Sequence, residues 1–202
     1  KYIFSKCVSR NSHFAIISAI HKSIRGSDPD AALYWLARAM NAGEDPNYIF
    51  RRLLRVSLED VGLASIEAHR VVLDSWSSYE RLGSPEGDIS LVMSVVYLSL
   101  CPKSNSMYVA EKESMKFAKR YHSESPPKHI INSTTAFMNK FGYGHGYEYD
   151  HDSKVGFSGQ NYFPDGIKRQ LFYHPFDRGY ERELKKRLSY FSKLRDHLNK
   201  KP

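Results

Sequence analysis

The stretch that decides the fold is residues 26–46, GSDPDAALYWLARAMNAGEDP, which holds one complete helix signal and the start of the next. Asp28 precedes Pro29, and this pair predicts a helix start because the carboxylate caps free backbone N–H groups and proline has none to lose. Gly43 ends the helix, and Asp45 with Pro46 repeats the start signal. Apolar side chains at spacings of three and four predict the buried stripe, namely Leu33, Leu36, Ala37 and Met40.

The same punctuation continues outward and predicts six helices between about residues 11 and 122. Each helix has a capping residue before it and a glycine or proline after it. The predicted starts are Asn11 or Ser12, Asp28, Asp45, Ser65, Ser84 with Pro85, and Ser104 or Asn105. The predicted ends include Gly26, Gly43, Gly62, Gly83 and Pro102. Six helices joined by short loops predict an all-α array of antiparallel neighbours.

Residues 89–100, ISLVMSVVYLSL, are apolar almost all round. Such a segment fits a helix surrounded by other helices, and its Ile and Val content also fits a buried strand. Its length favours the helix, and it is too short to cross a membrane, which needs about 20 apolar residues.

The sequence changes in kind after Pro126 and Pro127. Residues 134–141 predict a short helix, and residues 142–176 hold six of the twelve glycines and nine Phe or Tyr residues. Aromatic side chains at this density are normally buried, so we expect an ordered meander that packs onto the helices. Asp177 then predicts the cap of a long C-terminal helix with the apolar stripe Tyr180, Leu184, Leu188, Phe191, Leu194 and Leu198.

Charge and cysteine content limit the class of protein. Thirty Lys and Arg against 22 Asp and Glu give a net charge of +8, which favours an anionic partner such as nucleic acid. Two cysteines are too few for a disulfide framework, so we expect free thiols in a cytoplasmic protein without a membrane segment. The chain opens at Lys1 without a signal peptide, and we expect it to be a piece of a longer protein.

No catalytic, cofactor-binding or metal-binding residue is predicted in this chain. A phosphate-binding loop is absent from the sequence, and the glycines of residues 142–146 are better explained by tight backbone turns. His145, Asp150, His151 and Asp152 have the chemistry of metal ligands, but adjacent side chains in extended backbone cannot all point one way. A hydrogen-bonded loop is the preferred interpretation, and a metal-dependent hydrolase is the weakest hypothesis.

Basic residues on two predicted helices are candidates for nucleic-acid contact. They are Arg51, Arg52 and Arg55 on one helix and Arg182, Lys185 and Lys186 on the last. The competing interpretation is a solvated helix face with internal ion pairs, for example Glu183 with Arg187.

Several blocks of the chain are familiar together and in this order. They are SAIHKSIRGSDPDAALYWLARAMNAGEDP, RRLLRVSLEDVGLA, CPKSN, FGYGHGYEYDHD, QNYFPDG and RQLFYHPFDRGYE. The chain thereby resembles the C-terminal region of the RarA/MgsA family of AAA+ ATPases, which includes the Werner-helicase-interacting protein of eukaryotes. His151, Asp152, Gln160 and Pro164 match the family, whereas His145 stands where its members commonly carry Lys.

The resemblance implies a fold like the collar domain of sliding-clamp loaders and a role as the oligomerisation domain of a tetrameric ATPase at stalled replication forks. It implies three partners: further copies of this chain, DNA at forks, and single-stranded DNA-binding protein. ATP and Mg²⁺ would bind a module that precedes Lys1, so no ATPase residue is carried over. We expect a linker over residues 1–12, a collar-like domain over 13–122 and a packed extension over 123–202.

Two hypotheses therefore lead. In the first, surplus apolar surface makes the chain an assembly domain, with Tyr147, Phe157, Tyr162 and Phe163 of the meander as candidate subunit contacts. In the second, the basic helix faces make it a nucleic-acid-binding module.

Overall fold

A computed structural model describes the backbone of residues 10–200 and the side chains from residue 14 to residue 200. Among these residues no strand occurs, and the α-helices are α1 Arg10–Arg25, α2 Pro29–Asn41, α3 Pro46–Val56, α4 Ala68–Leu82, α5 Asp88–Leu100, α6 Ser106–Arg120, α7 Ala136–Lys140 and α8 Glu181–Leu198. The all-α prediction is confirmed, and residues 89–100 are helical. None of these helices has the length and apolar character needed to cross a membrane.

The chain divides into two compact units. Unit 1 contains the residues up to Val109 together with Pro175–Arg182, and unit 2 contains Ala110–His174 and the residues from Glu183 onward. The predicted domain boundaries after residues 12 and 122 stay predictions.

Unit 1 is built around one hydrophobic core that α1 to α5 share. Phe50 is fully buried at its centre, where its ring stacks on Trp76 with 5.7 Å between centroids. The Trp76 indole N–H donates to the side-chain oxygen of Asn47 at 2.8 Å, so the polar edge of this large side chain is satisfied. The buried aliphatic side chains of the core include Ile17, Ile20, Ile24, Leu36, Ile49, Leu53, Val72, Leu91, Val95 and Leu98.

The Asp-Pro helix starts are confirmed. The Asp28 carboxylate accepts from the backbone N–H of Ala31 at 2.9 Å, and the Asp45 carboxylate accepts from that of Asn47 at 2.9 Å. Each cap satisfies one of the backbone donors that a helix start leaves without a partner.

Four other predicted starts are displaced or wrong. α1 already includes Asn11 and Ser12, and α4 begins three residues after Ser65, whose carbonyl rather than hydroxyl accepts from Ala68 N–H. α5 begins at Asp88 because a turn separates it from Pro85, and α8 begins four residues after Asp177. In these places backbone turns supply the first hydrogen bonds, so the capping-type side chain does not mark the boundary.

Two stripe predictions also fail at their ends. Phe14 of α1 is 57% exposed, and Ala37 of α2 and Leu58 after α3 are exposed as well. Ser27, with φ of +59°, takes the left-handed position expected at Gly26.

α3 does not run on to Gly62 as a regular helix. It ends at Val56 and continues as one π-helical turn over Ser57–Val61, followed by a 3₁₀ turn over Gly62–Ala64. The wider turn changes which side chains face the core: Leu58 points outward, whereas Asp60 and Val61 are buried.

Unit 2 is irregular apart from its helices. The meander packs onto them through aromatic pairs: the Phe172 ring lies 5.5 Å from that of Phe117 on α6, and Phe157 lies 5.2 Å from Phe191 on α8. Gly159 fits directly against Leu198, where a Cβ would lie 3.1 Å from that side chain. The expected burial of the meander aromatics is wrong for Tyr147, Tyr149, Tyr162 and Phe176, which are exposed.

Candidate functional site

Helix α5 leaves one apolar face at the surface. Ile89, Met93 and Leu100 are 65%, 52% and 67% exposed, and Val96 between them is half-buried. The four positions are separated by four, three and four residues, so at about 100° per residue they lie within one narrow sector of the helix. We call this set the α5 stripe.

The opposite face of α5 carries the core contacts. Leu91, Val95 and Leu98 are fully buried there, and Ser94 and Ser99 are buried beside them. The helix is therefore apolar on two opposed sides, of which unit 1 covers one. A helix that only contributed to the core of its own unit would carry polar residues on the outer side.

A buried ion-pair cluster, which we call the Asp60 cluster, joins α1 to the π-helical turn. Arg25 Nε donates to Asp60 Oδ1 at 2.6 Å, and His21 Nε2 lies 2.6 Å from Asp60 Oδ2. The Asp60 side chain is only 7% exposed. Burial by itself raises the pKa of the Asp60 carboxyl, but the hydrogen bonds from His21 and Arg25 outweigh it and hold that pKa below its usual range.

The Asp60 cluster is better suited to an ion pair than to a metal. His21, Glu59 and Asp60 place ligand atoms within 4.8 Å of one another, the one such trio in residues 14–200. The Arg25 guanidinium already binds both Asp60 oxygens, at 2.6 and 3.2 Å, and would repel a divalent cation.

A second buried carboxylate ties residues 175–182 to the start of α6. Glu181 is fully buried and accepts from the hydroxyl of Ser104 at 2.7 Å, from the hydroxyl of Ser106, and from the backbone N–H of Phe176 at 2.9 Å. A carboxylate at a helix amino end also complements the helix dipole. Here, beside the glutamate, Gly179 has φ of +51°, and any Cβ would overlap the Ala64 carbonyl.

The predicted basic residues of α3 have different surroundings. Arg51 is exposed and lies 3.5 Å from the Asp45 carboxylate, and Arg55 Nε donates to Glu59 at 2.6 Å. Arg52 is half-buried, and its Nε has no hydrogen-bond partner in the part of the chain that the structure describes.

The predicted basic residues of α8 are exposed. Arg182 belongs to unit 1 and donates from Nε to the Asp177 carbonyl at 3.0 Å. Lys185 and Lys186 belong to unit 2, where Lys186 pairs with Glu183 at 2.7 Å in place of the pair expected with Arg187.

The predicted interface aromatics lie within unit 2. Tyr147 and Tyr162 are exposed, and the Tyr162 hydroxyl donates to Asp150 at 2.9 Å. Phe157 and Phe163 are half-buried against Phe191 and Phe172. Two of the four thus hold unit 2 together, and two present rings at its surface.

The loop over residues 142–152 is organised by hydrogen bonds. Asp150 Oδ1 accepts from both the backbone N–H and the hydroxyl of Ser158 at 2.8 Å. These bonds, with that from Tyr162, lower the pKa of the Asp150 carboxyl. In the described chain no three of His145, Asp150, His151 and Asp152 come together as a ligand group.

Sequence reasoning missed two of these features. Asp60 and Glu181 read as surface charges because each lies among other charged residues. Only the π-helical turn and the return of the chain at residues 175–182 bury them. The α5 stripe did carry a signal, since the spacing of residues 89, 93, 96 and 100 is that of a helix-pairing seam.

These observations define a class: an all-helical domain with an uncovered apolar helix face. The chain belongs to the family described as MgsA AAA+ ATPase C terminal, whose model matches residues 26–192. The predicted family membership is confirmed.

Named relatives support the same assignment. The chain is 41% identical over 181 residues to Replication-associated recombination protein A of Coxiella burnetii, covering 89% of this chain and 41% of the relative. It is 43% identical over 176 residues to the protein of that name from Haemophilus influenzae, covering 87% and 40%. ATPase WRNIP1 of Dictyostelium discoideum is 34% identical over 167 residues, covering 81% of this chain and 19% of the relative. The chain spans about two fifths of the length of the bacterial relatives.

Proposed function

We propose that this chain is the self-association domain of an AAA+ ATPase that acts in replication-associated recombination, and that it assembles its parent protein as a tetramer at stalled replication forks. The chain itself carries out no chemistry in this proposal. ATP and Mg²⁺ bind the ATPase module of the parent, and its partners are DNA at forks and single-stranded DNA-binding protein. The names of the relatives support the recombination role.

The α5 stripe carries the proposal. Scattered apolar residues are normal on a protein surface, but a continuous row along one helix face indicates a contact site. Spacings of four, three and four are those of side chains that interdigitate between two packed helices. We propose that the stripe packs on the same stripe of a second copy, in a two-fold symmetric contact.

A tetramer built from two-fold contacts needs a second interface. The exposed Tyr147 and Tyr162 of unit 2 are the candidates for it, with Phe157 and Phe163 beneath them. Two different isologous contacts give closed symmetry, whereas one contact alone stops at a dimer. A collar-like arrangement of this kind would hold the ATPase modules together.

Sedimentation velocity of the chain tests the proposal. We expect the Ile89→Glu/Leu100→Glu double variant to sediment as a smaller species than wild type, because each buried carboxylate in the contact costs several kcal/mol. Both residues are exposed in the single chain, so the helical circular dichroism should not change.

The matched control is Met115→Glu/Phe137→Glu, which places two carboxylates at exposed apolar positions of α6 and α7. It should keep the wild-type sedimentation coefficient. A wild-type chain that stays monomeric at high concentration, or a control that dissociates as fully as the stripe variant, contradicts the proposal.

A further inference from the structure

We propose that two neighbouring cavities of unit 1 form a binding site for single-stranded nucleic acid, with cationic side chains contacting its phosphates and aromatic side chains stacking on its bases. The two cavities share Arg25, which lies between them. The site lies apart from the α5 stripe in the sequence, and its chemistry does not depend on self-association.

The smaller cavity, of about 240 Å³, lies between α1 and α3. Its cationic lining is Lys22, Arg25 and Arg52, and its aromatic lining is Phe14 and Tyr48. Phe14 is 57% exposed, an unusual position for a phenylalanine in the apolar row of a helix. The Arg52 Nε without a partner belongs to a side chain that lines this cavity.

The larger cavity, of about 490 Å³, is lined by Arg25, Lys103 and Arg178 and by the ring of Tyr108. Arg178 donates to the Lys103 carbonyl at 3.2 Å, which fixes its guanidinium at the rim. Lys103 donates to the carbonyls of Ser99 and Cys101 at 2.8 and 2.7 Å, so it supplies charge from a fixed position.

The lining charges favour an anion. Five cationic side chains face the two cavities, against the carboxylates of Glu59 and Asp60. Both carboxylates are engaged, Glu59 by Arg55 at 2.6 Å and Asp60 by the Asp60 cluster. The amino end of α6 adds nothing to this field, because the Glu181 carboxylate already binds there.

Each cavity combines aromatic rings with cations, and this combination favours a single strand. Unpaired bases stack on aromatic side chains while the backbone follows a positive groove, whereas a duplex keeps its base faces inside the helix. Of the six basic residues singled out in the sequence, Arg52 lines the site; the other cations, Lys22, Arg25, Lys103 and Arg178, come from elements far apart in the sequence.

Fluorescence anisotropy with a 5′-labelled oligo(dT) of about 20 nucleotides tests the site on the whole chain. We expect the Lys22→Gln/Arg52→Gln/Arg178→Gln variant to bind about tenfold or more weakly at moderate salt. It should also lower the salt slope by about 2, at about 0.7 per lost phosphate contact for single strands. Phe14→Ala should weaken binding by about tenfold at an unchanged salt slope, as expected for lost base stacking.

Two control variants carry matched changes elsewhere. Lys186→Gln/Arg187→Gln/Lys193→Gln removes three charges from α8, and Phe137→Ala removes an exposed ring from α7. Both should bind as wild type does. Equal loss in the matched controls overturns the proposal, as does equal affinity of wild type for a 20-base-pair duplex.

An acidic peptide is the competing occupant. Oligo-glutamate of the same charge should displace the labelled strand far less well than unlabelled oligo(dT), and equal displacement overturns the proposal. Binding by the Ile89→Glu/Leu100→Glu variant separates the two proposals, because a dissociated chain that still binds oligo(dT) keeps this site whatever becomes of self-association.

Discussion

Unit 1 and unit 2 treat their apolar side chains in opposite ways. Unit 1 buries large rings such as Phe50 among regular helices and leaves an ordered aliphatic row, the α5 stripe, at its surface. Unit 2 has few helical residues between α6 and α8 and leaves Tyr147, Tyr149 and Tyr162 exposed on irregular backbone. Helical periodicity therefore tells where an apolar side chain points, and aromatic density by itself does not.

The largest effect expected from this contrast is on core packing. Phe50→Ala should lower the free energy of unfolding by about 4 kcal/mol, because a fully buried ring leaves a cavity that the helices cannot fill. Phe172→Ala should cost about 1–2 kcal/mol, since its half-buried ring packs on Phe117 and the meander can adjust. Urea unfolding followed by far-ultraviolet circular dichroism measures both.

Phe137→Ala is the control for ring removal, because that side chain is exposed; its cost should stay within about 0.5 kcal/mol. Equal losses for Phe50→Ala and Phe172→Ala would break the contrast between the units and show that the meander is packed as tightly as the core.

A smaller effect is expected from the two carboxyls with lowered pKa. Asp60→Asn should cost about 2–3 kcal/mol at pH 7, because it leaves the Arg25 guanidinium beside a buried neutral group. Asp150→Asn should cost less, because Ser158 and Tyr162 are neutral donors and the loop is at the surface.

The pH dependence follows from the direction of the shift. A carboxyl whose pKa is lower in the folded state stabilises the protein above its unfolded pKa of about 4, and that contribution disappears as pH falls through the folded value. Urea midpoints from pH 7 to pH 3 should therefore show the gap between wild type and Asp60→Asn closing below about pH 4. A gap that stays constant over this range would mean that Asp60 is not the charged partner of Arg25.

Much of unit 1 could be predicted from the sequence because its signals are local. Asp28–Pro29 and Asp45–Pro46 act within one turn of backbone, so their helix starts do not depend on the rest of the fold. The same locality explains the failures: Ser65 and Asp177 are good caps in isolation, yet turns formed with distant parts of the chain set those boundaries.

The buried carboxylates could not be predicted, because their partners are remote. Asp60 lies 39 and 35 residues from His21 and Arg25, and Glu181 lies 77 and 75 residues from Ser104 and Ser106. A charged residue is buried only where such partners converge, and one sequence does not show that convergence. The predicted contacts of Arg51, Arg55, Arg182, Lys185 and Lys186 with nucleic acid stay predictions.

Cross-linking through the α5 stripe tests the central claim most directly. In a Cys7→Ser background, Met93→Cys places an exposed thiol on the stripe, while the pKa of the Cys101 thiol is raised by burial and keeps it unreactive. A short bismaleimide should convert this variant to a covalent dimer of about twice 23.3 kDa and leave Met115→Cys on α6 as single chains. Failure of Met93→Cys to cross-link, or equal cross-linking of Met115→Cys, would contradict self-association through α5.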